Sequence, residues 1–108
     1  MIFCINNIEW EIFFVSPENK NLLNSRGLYT LGVCDNNRKA VFLNNKLSKY
    51  MLEKVLCHEL THCFCFSYDI HIPIEEEEFM ADWLSVYGKD LIYLLDNLMN
   101  SLKMRVAT

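Results

Sequence analysis

A chain of 108 residues, 52% of them hydrophobic, with three glycines and two prolines, has the length of one domain, residues 1–108, and enough apolar mass for a small core. Fourteen acidic against ten basic residues leave a formal charge of −4, which argues against a nucleic-acid partner, and no apolar run approaches the length of a membrane span. Met1 to Asn7 lacks the basic region and cleavage pattern of a signal peptide, and five cysteines without framework spacing read as reduced, mostly buried thiols, so the expected location is cytoplasmic.

The first half reads as sheet. Between residues 2 and 15, Ile8, Trp10, Ile12 and Phe14 alternate with Glu9, Glu11 and Phe13, the period of a half-buried strand. Ser16-Pro17-Glu18-Asn19 ends it and caps a short helix through Leu22 and Leu23. After a loop at Asn24 to Gly27, Leu28–Cys34 and Lys39–Leu43 are expected to form a hairpin around Asp35-Asn36-Asn37-Arg38, because Asn and Asp tolerate left-handed conformations. Asn44-Asn45 closes the second strand. The expectation is a three-stranded, mostly antiparallel sheet with Lys39–Leu43 at an edge.

The second half reads as helix. Ser48 is the expected N-cap of a helix running to about Phe66, with Met51, Leu52, Val55, Leu56, Leu60, Cys63 and Phe66 covering half its circumference. A second helix starts at Pro73, carries Glu75 to Glu78 where negative charge meets the positive end of the helix dipole, buries Phe79, Met80, Trp83, Val86 and Tyr87, and stops at Gly88. A third runs from Asp90 to Lys103 on Leu91, Leu94, Leu95, Leu98 and Leu102, and residues 104 to 108 are expected to fray. The fold class is α+β.

Inside the first helix stands His58-Glu59-Leu60-Thr61-His62. Residues four apart share a helix face, so both imidazoles reach one metal ion. This is the H-E-x-x-H arrangement, two zinc ligands with a glutamate as general base on zinc-bound water. Glu59 falls within the apolar arc, where an unpaired carboxylate is costly; a surface helix with incidental histidines gives no reason to place it there. The bland alternative is two accidental helix histidines.

Catalytic zinc takes a third protein ligand. The extended form H-E-x-x-H-x-x-G-x-x-H fails, because Cys65 stands at the glycine and Tyr68 at the histidine. Glu78 and Asp82 are four apart on the second helix: Glu78 suits a ligand, and Asp82 suits a hydrogen bond to the free ring nitrogen of a ligand histidine. Glu75 lies near the same face and Glu77 points elsewhere on the wheel. The competing reading makes Glu75 to Glu78 and Asp82 an acidic first turn that only satisfies the dipole. His71 reads as a loop histidine rather than a ligand in a SprT-like arrangement, and Cys63 and Cys65 as core thiols rather than thiolate ligands.

His58-Glu59-Leu60-Thr61-His62 followed by Glu78-Phe79-Met80-Ala81-Asp82 resembles the gluzincin pattern. The order of sheet, motif helix and glutamate helix over residues 28 to 95 resembles the small ImmA/IrrE-type metallopeptidases, common in phages and other mobile elements of bacteria. The resemblance implies a minimal zincin-like domain, one Zn2+ and hydrolysis of a protein or peptide substrate, a phage or host regulatory protein among the options. It carries metal ligation to His58, His62 and Glu78 and the base to Glu59. The interval from His62 to Glu78 is tighter than in many members, so Glu75, Glu76 and Glu77 stay open as ligands. Tyr68, Tyr87 and His71 are the candidates for an oxyanion donor. Two other readings stand beside the peptidase: an inactive zincin-like module that binds a regulatory protein, and a latent enzyme whose own terminal segment covers the site.

Overall fold

The computed structural model describes residues 1 to 105, with side chains described to Lys103. Strands β1 (Ile2–Ile5), β2 (Ile8–Val15), β3 (Gly32–Asp35) and β4 (Ala40–Asn44) precede helices α1 (Lys49–Ser67) and α2 (Ile74–Arg105). The α+β class stands; the sheet differs from expectation. It has four strands in the order β1-β2-β4-β3, with β2 and β4 parallel and the outer pairs antiparallel.

Three local facts account for the difference. Asn6 and Asn7 both have positive φ, 51° and 64°, the combination of a two-residue hairpin turn; it splits residues 2 to 15 into β1 and β2. The segment expected as Leu28–Cys34 forms a strand only from Gly32, and Leu28 to Leu31 belong to a loop tied back by the Leu23–Tyr29 bridge. Finally, Ala40 to Leu43 are buried throughout, so β4 is an interior strand and not an edge. A continuous apolar run is the mark of a strand covered on both faces. Val41 and Leu43 meet Trp10, Ile12 and Cys63 on the α1 side, while Ala40 and Phe42 pack with Leu22 of a 3₁₀ turn (Lys20–Leu22) on the other.

Ser48 caps α1 as its sequence predicts, accepting from the Met51 N–H at 3.2 Å. The far end is tied to the sheet: the Trp10 indole N–H donates to Ser67 Oγ at 2.8 Å, and Asn6 donates to the Ser67 carbonyl at 3.0 Å. Asp69, at φ 55°, then turns the chain toward α2.

α2 is one helix of 32 residues, which replaces the expected pair. Gly88 does not stop it: glycine costs only about 1 kcal/mol against alanine inside a helix, and Lys89-Asp90-Leu91-Ile92 behind it contains no proline or asparagine to end the run. The expected apolar face is also turned around. Phe79, Trp83, Val86 and Tyr87 are exposed, and among the described side chains of α2 the buried ones are Glu77 and Ala81. The expected fraying of residues 104 to 108 falls beyond the described side chains.

Candidate metal centre

α1 and α2 pack side by side, and β3 runs along the other flank of α1. Between them lies a cleft of about 730 Å3 whose floor carries Lys54, His58, His62 and Phe66, one per turn of α1. Across it, α2 presents Glu77, Glu78 and Asp82.

The two imidazoles face each other through Nε2 at 3.3 Å. The Glu78 carboxylate closes the triangle, with Oε2 at 3.1 Å from His58 Nε2 and Oε1 at 3.0 Å from His62 Nε2. Each ring's other nitrogen has its own carboxylate. His58 Nδ1 meets Asp82 Oδ1 at 2.9 Å, and His62 Nδ1 meets Glu77 Oε2 at 2.5 Å. A neutral ring that donates to its carboxylate carries its proton on Nδ1 and leaves Nε2 as an acceptor. Both Nε2 lone pairs then point into one small space together with a carboxylate. In that tautomer the two Nε2 atoms and the carboxylate are all acceptors, an arrangement that a metal ion or a shared proton between them relieves. The spacing also suits zinc: ligand atoms about 2.0–2.1 Å from a tetrahedral ion stand about 3.3 Å apart. Among the described residues, His58, His62 and Glu78 offer donor atoms within 4.8 Å of one another, a group that could hold a metal ion.

Asp82 stands where the sequence reading places it. Glu77 does not: expected to point away, it is 7% exposed and supports His62. A standard helical wheel sets Glu77 beside neither Glu78 nor Asp82. It reaches His62 because α2 crosses α1 with its Glu77–Ala81 side inward. The residue pair Glu77 and Ala81, four apart and small or charged amid larger apolar residues, is the available sequence signal.

Glu59 is buried against β3 and lines the cleft. Burial, with Glu78 nearby, raises its carboxyl to about 7, while His58 and the Cys34 backbone N–H pull the other way. β3 approaches α1 so closely that a Cβ at Gly32 meets Val55 Cγ1 at 2.7 Å and Glu59 Cγ at 3.2 Å; glycine is what the contact admits. Sequence reading passed over Gly32.

Other candidates are not brought to the centre. His71 pairs with Asp69 at 2.7 Å on the surface, Glu75 and Glu76 are exposed and line no part of the cleft, and neither Tyr68 nor Tyr87 lines it. Cys63 and Cys65 are buried free thiols, Cys63 lying 3.5 Å from Cys34. The cleft lining takes no residue before Leu23 or after Ser85, so among the described residues neither terminal segment covers it. No described helix is long and apolar enough to cross a membrane.

No family model, curated protein or solved structure matches the chain.

Proposed function

We propose that the chain is a zinc-dependent metallopeptidase of the zincin type, similar to the ImmA/IrrE group, and that it hydrolyses a peptide bond of a protein substrate. The observation that supports this most is the convergence of the two Nε2 atoms and the Glu78 carboxylate, with each ring held from behind by a carboxylate. A core-packing or dipole role gives the imidazoles no reason to face one another in that way.

Zinc, when bound, supplies a Lewis acid that polarises the scissile carbonyl and acidifies water. The residues do the rest. Asp82 and Glu77 fix the tautomer and orientation of His58 and His62. Glu59, buried beside the two histidines, takes a proton from the attacking water and returns it to the leaving amine nitrogen. Of the two edge strands, β1 and β3, it is β3 that borders the cleft, and its residues Gly32 to Cys34 line it together with Leu31 before them. Its outward backbone groups suit an extended peptide added as a further strand, so the free edge beside the site is β3 and not the expected Lys39–Leu43.

Glu59→Gln keeps the shape and every metal donor. It is expected to retain zinc and to lose about 10^2 to 10^4 in hydrolysis of a denatured protein substrate, read by peptide release. An equally active Gln variant contradicts the role of Glu59. A wild-type protein that holds zinc and cleaves nothing moves the reading to the partner-binding module.

A further inference from the structure

Helix α2 outruns the body of the protein. Its 32 residues span about 48 Å against about 28 Å for the 19 residues of α1, and the longest dimension of the chain is 56 Å. Lys89 still meets Glu53 near the start of α1, at 2.5 Å. Beyond that point Leu91, Ile92, Tyr93, Leu94, Leu95, Leu98, Met99 and Leu102 are all 46–57% exposed. Without Tyr93, which lies on the opposite side of the helix, they present on the order of 600 Å2, the size of the largest apolar patch of an ordinary monomer and somewhat less than one side of a standard protein interface.

The pattern names the occupant. Leu91, Leu95, Leu98 and Leu102 repeat at intervals of four, three and four, the spacing of a coiled-coil seam. The same series continues backwards through Gly88, Leu84, Ala81 and Glu77, the side of α2 that turns toward α1. The leucine stripe is therefore the continuation of an existing helix–helix interface past the end of its partner. It is also self-complementary. Laid antiparallel on a copy of itself, Leu95 meets Leu98, Leu91 meets Leu102, Ile92 meets Met99 along one flank, and the Asp90 end of one helix comes to the Lys103 end of the other. A two-fold interface requires that each such contact occur twice, and this register satisfies it. We infer that the chain forms an antiparallel homodimer through residues 91 to 102 of α2, with the cleft left open on each protomer.

The test is sedimentation equilibrium of the full chain, with Leu95→Glu, Leu98→Lys and a mixture of the two. Wild type is expected to have the mass of two chains, with dissociation on dilution. Each single variant is expected to be monomeric with unchanged helix content by circular dichroism, since both sites are exposed and Glu and Lys are good helix formers. In an antiparallel pair the carboxylate introduced by Leu95→Glu faces the ammonium introduced by Leu98→Lys on the other chain, so mixing restores the dimer. In a parallel pair like positions face each other and mixing restores nothing. A monomeric wild type, a dimer that survives Leu95→Glu, or single variants that stay monomeric when mixed each overturns the inference.

Discussion

The two halves of α2 meet opposite demands. From Ile74 to Gly88 the side that turns to α1 is charged or small but for the half-buried Leu84, with Glu77 and Ala81 buried, while Phe79, Trp83 and Tyr87 look outward. From Leu91 on, the same side is leucine, and none of the described residues covers it. The first half is arranged around two imidazoles that need carboxylates behind and beside them; the second is arranged around apolar contact alone. The difference teaches that apolar periodicity locates a helix but not its buried side. Which side is buried depends on what the neighbouring element brings, and α1 brings His58 and His62.

Removing the polar supports of the first half gives the largest effects after Glu59→Gln. Glu77→Ala is expected to weaken zinc binding about 10–100-fold, because it leaves His62 Nδ1 without its partner in a buried setting. Asp82→Ala is expected to cost less, since the Asp82 side chain is 73% exposed and water replaces it at His58 Nδ1. Competition titration against a chelating dye measures both, and equal losses contradict the ranking by burial.

Gly32→Ala probes the other wall of the cleft. The new methyl lies 2.7 Å from Val55 Cγ1, and a β-branched side chain on a helix has little rotamer freedom with which to yield. A loss of about 1–3 kcal/mol in urea unfolding is expected, together with weaker hydrolysis as Glu59 shifts. A neutral substitution means that β3 does not lie against α1 as described. At the boundary between the two halves the effect is small and of opposite sign. Gly88→Ala meets nothing closer than Leu84 Cδ2 at 3.4 Å and removes unfolded-state freedom, so a gain of about 0.5–1 kcal/mol is expected. Destabilisation there contradicts an uninterrupted helix.

Much of the site was legible because it is local. Ser48, the four-residue interval between His58 and His62, and the same interval between Glu78 and Asp82 fix α1 and most of the carboxylate wall without reference to the rest of the chain. Glu77 escaped because its role depends on how two helices cross, which no single helical wheel contains. The sheet was legible only in pieces. The Asn6-Asn7 turn is a local signal, masked by the apolar residues on either side of it, whereas the parallel pairing of β2 with β4 joins residues on either side of a whole hairpin arm and leaves its trace only in the unbroken Ala40–Leu43 run. The continuity of α2 through Gly88 reflects a cost of about 1 kcal/mol that a long run of good helix formers offsets.

The central claim is that His58, His62 and Glu78 form one closed cation site. Chelator-treated protein without a histidine tag, titrated with Zn2+ at neutral pH in a calorimeter, tests it most directly. The account predicts one tightly held zinc per chain and its loss in His62→Ala. No uptake by the wild type, or uptake unchanged by that substitution, contradicts it.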